Sequence, residues 1–515
     1  MADLATADDP TALDATAMAA AVQSGAIGAE ALLDAHLARV RRWNPSLAAI
    51  VASDEQAARA AARACDADAA RGAWRGPLHG LPMTVKDAWN VAGLPATVGT
   101  PWLRNHRPVR DATAVARLRA AGAVVWGKSN LPLASYDWQC ASGFLPRGRN
   151  PWSLAHGPGG SSGGAAAALA ARFTPLELGS DVAGSIRVPA HACGVVGLRP
   201  SEGVVPLDGH GDVPGSVHAL RHLVAGGPLA RSVRDLRLAM RVLTGRDDAW
   251  VARPHAAAGL RLAITAEAGP HRADADTRRV LTEAVATLRA AGASVTAVEP
   301  PLDLEALFVA WGAIQGFELR AAMPGRVAAL PGAGIAGTAL FRLVFGPGTF
   351  SRTLGRGWSA SPRTYFAALD ARDAALEAYD AFAARWDAWL TPVGLAPALA
   401  HQRTGRAVPV DGVRVPYGEV FGRWCCPTAV TAHPVVVLPA GRSSAGLPIG
   451  VQVHGRRGHD AALLDVAEAI ERCLPALGMP DLAAAMRTAS RARTAGGWRR
   501  RRAISWCVAG SQRRC

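Results

Sequence analysis

The sequence predicts an α/β fold, a β-sheet covered by α-helices and preceded by an N-terminal helical arm. Two observations carry this. From Gly76 onward, short β-type runs broken by Gly and Pro alternate with helical stretches, the pattern of a helix-covered sheet. In addition, 50% of the 515 residues are hydrophobic and only 19% charged, which supports a large core and excludes a disordered polymer.

The arm spans residues 1–75. Pro10 opens a helix over Thr11 to Ser24 that Gly25 closes, and a second runs from Ala29 to Trp43 and ends at Asn44 and Pro45. A short strand, LAAIV, and an Ala-rich helix from Glu55 to Arg71 complete it. The catalytic domain, residues 76–486, contributes the strands MTVK, AVVW, LELG, LRLAIT, ASVTAV, AWLTP, PVVVLPAG and PIGVQVHG. Helices over Ala112–Ala121, Ala275–Ala291 and Asp460–Cys473 are interspersed, the last of these closing the fold. Residues 487–515 form an Arg-rich tail without helical or strand periodicity, expected to be disordered and dispensable for turnover.

Charge and cysteine usage narrow the function classes. The net charge is +15, but the tail holds nine arginines and no acid, so the body is only mildly basic. The tail reads either as a contact for RNA, DNA or acidic lipid or as a passive extension, and the body disfavours nucleic acid as a partner. No run approaches the ~18 apolar residues of a membrane helix, and the acidic start, MADLATADDP, is unlike a targeting peptide. A cytoplasmic protein without a membrane partner is expected. The eight cysteines form no CxxC pair and no Cys/His metal spacing, so neither a disulfide framework nor a metal site is indicated.

Of 56 basic residues only Lys86 and Lys128 are lysine. In a chain so shifted toward arginine, these two mark positions where arginine cannot serve. A guanidinium does not deprotonate in proteins, whereas a buried lysine amine can become a neutral base. Lys86 follows a strand among apolar residues and suits that role; Lys128, in GKSN, could equally be a satisfied ion pair.

Two literal motif matches fail on context. Gly122–Ser129 fits the phosphate-loop string GxxxxGK[ST], yet its intervening residues, Ala123 to Trp126, read as a strand rather than a flexible loop. Gly159–Gly163, GGSSG, fits the Gly-x-Ser-x-Gly elbow, but the residues upstream of Ser161 are loop-forming by composition. A third reading joins Lys86 to Ser161 and to Ser185 in SDVAGSIRVPA, since serine needs a base and a neutral lysine suffices.

The set GPLHGLPMTVKD, AVVWGKSN, GPGGSSGGAAAA, LGSDVAGSIRVPAHACGVVGLRPS and GLPIGVQVHG resembles the amidase signature family, over roughly Thr11 to Leu474. The strings DWQ (Asp137 to Gln139) and RNPW (Arg149 to Trp152) look like one bacterial branch. The resemblance implies a mixed β-sheet core sandwiched between α-helices and a Ser–cisSer–Lys triad: Ser185 as nucleophile, Ser161 as bridging serine, Lys86 as base. It implies an oxyanion hole from the backbone amides of Val182, Ala183, Gly184 and Ser185, with Asp181 and Arg187 shaping the loop. The family usually has Gly where this chain has Ala183, a costly change only if the position needs positive φ.

The implied activity is hydrolysis of a small-molecule carboxylic amide to the acid and ammonia or amine, without metal or cofactor. The alternative is the amidase-type subunit of a tRNA-dependent amidotransferase complex. A homodimer remains open. Asp137 and Gln139 either face the substrate or are locally hydrogen-bonded, and His191 is expected to pack locally. Cys425 and Cys426, beside Trp424, fall where the family has a variable substrate-facing wall, and are expected to be small buried hydrophobes.

Overall fold

The computed structural model describes residues 9–212, 219–323 and 333–495. Its strands are β1 (Ile50–Ser53), β2 (Pro82–Lys86), β3 (Val124–Ser129), β4 (Leu176–Asp181), β5 (Val196–Arg199), β6 (Ala225–Ala230), β7 (Arg261–Ile264), β8 (Ser294–Ala297), β9 (Ala388–Pro392), β10 (Val408–Val410), β11 (Val413–Val415), β12 (Val435–Arg442) and β13 (Pro448–His454). Eleven form one sheet in the order β1-β3-β2-β4-β6-β5-β12-β13-β9-β7-β8, and β10 and β11 form a separate hairpin. The sheet is mixed: β2 runs parallel to β3 and β4, and β7 to β8 and β9, whereas the central β4-β6-β5-β12-β13 run is antiparallel.

Alternation along the strands divides the interior into two layers. On β12, Val437 joins one apolar cluster while Val436 and Leu438 join the other. The first cluster includes helices Gly163–Ala170, Arg187–Cys193, Leu304–Ala321 and Gly422–Val430; the second includes helices Val233–Thr244, Ala275–Ala290 and Asp460–Cys473. A sheet apolar on both faces and covered by helices is the predicted architecture.

All eight residues of helix Gly163–Ala170 are buried, and seven of them are Gly or Ala. The small side chains let the helix approach the end of β3 closely, since a Cβ on Gly164 would lie 2.1 Å from the Asn130 amide nitrogen. The loop before this helix, which carries Ser161, is thereby pressed against the sheet.

Three expectations are corrected. The residues read as a separate arm contribute β1, which pairs antiparallel with β3 at the sheet edge. The helix expected to end at Trp43 continues through Asn44 and Pro45 to Leu47. Pro45 falls in the last turn, and the helix ends just beyond it, with the Asn44 carbonyl accepting from the Ala48 amide at 2.7 Å and the Asn44 side chain bracketing the main chain of Ile50. Finally, Asp460–Cys473 is not the last helix, because Leu482–Ala495 follows and runs past the expected boundary at residue 486. Asp481 caps it through the Ala484 amide at 2.9 Å, and Leu482 is buried in the first core cluster with Met486 packed against it. The rest of the expected tail, 496–515, lies outside the described residues.

Ending the chain at Leu474 therefore removes a core contact. We expect Leu482→Ala to cost about 2 kcal/mol of folding free energy, read as a lowered midpoint in urea unfolding with an unchanged slope.

Candidate functional site

Loops after β2, β3, β4 and β5 converge on a cavity of roughly 630 Å³ lined by Ser161, Ser180, Val182, Ala183, Ser185 and His210, among others. Lys86, the last residue of β2, is completely buried. Its Nζ lies 2.7 Å from Ser161 Oγ and 3.0 Å from Ser180 Oγ. Burial pushes the Lys86 amine down to about 7, against the charge of nearby Asp181, which favours the ammonium. A lysine that is substantially neutral at physiological pH can accept a proton.

Ser161 follows a cis Gly160–Ser161 peptide in the GGSSG loop. The adjacent Ser162 amide donates to the Ser185 carbonyl at 3.0 Å, which ties the two serine loops together. Ser185 sits half-buried at the turn between β4 and helix Arg187–Cys193.

That turn is wound around one carboxylate. Asp181 Oδ1 accepts from the Gly184 amide at 2.8 Å, and Oδ2 accepts from the amides of Ile186 (3.0 Å) and Arg187 (3.2 Å). The Arg187 guanidinium donates to both oxygens, at 2.9 and 3.1 Å. Burial alone would raise the Asp181 carboxyl, but Arg187, Arg199 and the amides hold it well below the usual carboxylate range. Two indoles brace the turn, Trp138 Nε1 donating to the Ala183 carbonyl at 2.9 Å and Trp311 Nε1 to the Val182 carbonyl at 3.2 Å.

With their carbonyls drawn back, the amides of Val182, Ala183 and Ser185 have no acceptor among the described residues. Gly184 differs from the expectation, because its N–H is committed to Asp181. The unusual alanine is also resolved: positive φ falls on Gly184, at +94°, and not on Ala183. A Cβ on Gly184 would approach Cys425 Sγ to 2.7 Å.

The remaining sequence candidates separate clearly. Lys128 is a structural cation, donating to the carbonyls of Trp89 (2.6 Å) and Pro95 (2.9 Å) and lying 3.5 Å from Asp87. His191 is buried between the Ala396 carbonyl and the Gly450 amide, which donates to its Nδ1. Asp137 borders the cavity, where burial pushes its carboxyl up to about 6 despite hydrogen bonds from Thr404 and Tyr417. Gln139 turns away, accepting from the Gln402 amide at 3.1 Å. Cys425 and Cys426 are fully buried, as expected, yet Cys425 backs the nucleophile turn at Gly184 and neither lines the cavity, so the reading of that segment as a substrate-facing wall is corrected. Sequence reasoning missed Ser180, His210, Trp138 and Trp311. Only Ser180, adjacent to Asp181 at the end of the strand reading LELG, carries a positional hint.

Gly184→Ala should lower kcat by about tenfold or more, since the left-handed conformation costs ~1–2 kcal/mol before any clash. Ala183→Gly should leave kcat within about threefold. Steady-state rates of the two variants on one amide provide the comparison.

Comparisons with known proteins identify the family. The family model described as Amidase matches residues 31–464. A glutamyl-tRNA(Gln) amidotransferase subunit from Roseiflexus castenholzii (strain DSM 13941 / HLO8) is 34% identical over 478 residues, covering 87% of this chain and 93% of that protein. Among solved structures, a crystal structure of an amidase superposes with a TM-score of 0.74 at 29% identity, covering 90% of this chain and all of that one. The corresponding glutamyl-tRNA(Gln) amidotransferase subunit from Thermotoga maritima superposes with a TM-score of 0.68 at 26% identity, covering 94% and 99%. The chain belongs to the amidase signature family and is an enzyme of carbon–nitrogen amide bonds.

Proposed function

We propose that this protein hydrolyses a neutral carboxylic amide to the acid and ammonia or an amine, through an acyl intermediate on Ser185. The supporting observation is a completely buried lysine, Lys86, held 2.7 Å from Ser161 in the cavity that Ser185 also lines. Neutral Lys86 takes a proton from Ser161 as Ser161 takes one from Ser185, whose oxygen attacks the amide carbon. The amides of Val182, Ala183 and Ser185 receive the oxyanion. The proton returns through Ser161 to the departing nitrogen as the carbon–nitrogen bond breaks. Water then repeats the sequence on the acyl-Ser185 ester, giving the acid and free Ser185.

The cavity wall suggests the class of amide. Trp102, Trp138, Leu319, Met323, Phe345 and Phe350 make it largely apolar. Its described lining includes the carboxylates Asp137 and Asp212 and neither lysine nor arginine. A free α-carboxylate bound here would lose water without gaining a cation, at a cost of several kcal/mol. An uncharged amide with an apolar acyl or amine portion suffers no such loss.

A second reading is favoured by the sequence relatives. The Roseiflexus protein is a subunit of glutamyl-tRNA(Gln) amidotransferase, and by that likeness this chain would be one component of a tRNA-dependent transamidation assembly, with glutamine as amide donor and partner subunits beside it. Both readings use the same serine and lysine. They differ in the charge of the amide and in the need for a partner.

A panel of uncharged aliphatic and aromatic amides together with glutamine, scored for ammonia or amine release against Ser185→Ala, separates them. Hydrolysis is supported if apolar amides exceed glutamine in kcat/KM by about tenfold or more. Glutamine preference with a co-purifying partner supports the transamidation assembly. A fluorophosphonate should label the peptide containing Ser185, and an adduct on Ser161 would overturn the assignment.

Lys86→Arg should be nearly as damaging as Lys86→Ala, because it keeps the charge and loses the base. The sign of the pH dependence follows from the depressed amine. Below about 7 Lys86 is an ammonium and cannot accept a proton, so kcat/KM should rise with pH through an ionisation near 7 and then level off.

A further inference from the structure

The hydrogen-bond chain at Lys86 does not stop at Ser161. On its other side Nζ lies 3.0 Å from Ser180 Oγ, and Ser180 Oγ lies 2.8 Å from His210 Nε2. Ser180 is buried near the end of β4, and His210 belongs to the loop after β5. This loop is fastened to the turn after β2: Trp89 and His210 form an antiparallel bridge, their rings meet edge-on at 4.6 Å, and the Gly211 amide donates to the Ala88 carbonyl at 2.7 Å.

A donor count gives this chain a direction. A neutral amine has two N–H groups and one lone pair. For the lone pair to take the Ser161 proton, Ser180 has to accept an N–H from Lys86, and its own hydroxyl proton has to point elsewhere. His210 Nε2 stands where that proton would go. Without an acceptor there, the Ser180 hydroxyl is free to donate into the lone pair of Lys86 and compete with Ser161.

We propose that His210 is a positioning residue for the base: Nε2 accepts the Ser180 hydroxyl, which fixes Ser180 as acceptor toward Lys86 and leaves the lysine lone pair for Ser161. This rests on the assignment of Lys86 as the base. No bond is made or broken at Ser180 or His210, and neither touches the substrate through this role.

The test uses the full chain with His210→Phe, His210→Gln, Ser180→Ala and the double variant S180A/H210F. Fluorophosphonate labelling of Ser185 and amide turnover are read together, and thermal melts report folding. His210→Phe should slow labelling and lower kcat by a common factor of about ten or more, with KM within about twofold. His210→Gln, whose side-chain carbonyl is again an acceptor, should recover most of the loss. In the Ser180→Ala background the misdirecting hydroxyl is gone, so adding His210→Phe should cost no further rate. A His210→Phe protein that labels at the parental rate, or a loss that persists undiminished in the Ser180→Ala background, would overturn the proposal. A parent that neither labels at Ser185 nor turns over amides overturns the hydrolysis reading, and this proposal with it.

Discussion

The site depends first on the buried Asp181–Arg187 ion pair. The carboxylate at the end of β4 gathers three amides of the following turn, and the guanidinium that neutralises it also donates to Thr428 Oγ1 at 2.8 Å, the Cys425 carbonyl at 2.9 Å and Gln452 Oε1 at 3.1 Å. One contact set thus fixes the turn carrying Ser185, the helix behind it and β13. A buried pair does not by itself argue for net stability, but losing one partner strands a charge and typically costs ~3–5 kcal/mol. The turn has no cheap alternative conformation, and its amides stay aimed at the cavity because their carbonyls are held elsewhere.

Burial, opposed by the charge of Asp181, sets the chemistry of Lys86. An isolated carboxylate near a buried amine would hold it as an ammonium, and Asp181 does pull in that direction. Desolvation nonetheless prevails, and the amine falls to about 7. Burial pushes the Lys128 amine down as well, here against the charge of Asp87, but its Nζ is spent on two carbonyls and lies beside that carboxylate, which makes it a cross-link between β3 and the turn after β2. These are the chain's two lysines, and both are completely buried.

Much of this is legible in the sequence. Helix 460–473 and strand 388–392 have the expected limits, because Gly458 and Pro475 flank the helix and Pro392 ends the strand. Scarcity of lysine points to Lys86, and the two small-residue loops point to Ser161 and Ser185. Legibility ends where contacts are long-range. His210 and Ser180 are 30 residues apart, and no local pattern pairs them. The spent Gly184 amide follows from the φ of one residue and the reach of one carboxylate, which a Gly among small residues does not reveal. Helix Leu482–Ala495 is hidden by composition: its arginines read as tail, although the Asp481 cap and the spacing of Leu482 and Met486 are a helix signal.

The two indoles that brace the turn also link catalysis to substrate choice. Trp138 lines the cavity and holds the Ala183 carbonyl, while Trp311 holds the Val182 carbonyl from helix Leu304–Ala321. Further along that helix, Gln315 and Leu319 line the cavity, at intervals of about one turn. The wall that would select the amide and the amides that would receive its oxyanion are therefore parts of one packed unit. A change of cavity shape along this helix that moves Trp311 also moves the Val182 carbonyl, and with it the direction of the neighbouring N–H groups. The wall can change at Gln315 and Leu319, which carry neither brace, whereas Phe350 of helix Thr349–Trp358 packs against both indoles, with ring centroids 4.9 Å from Trp138 and 5.2 Å from Trp311.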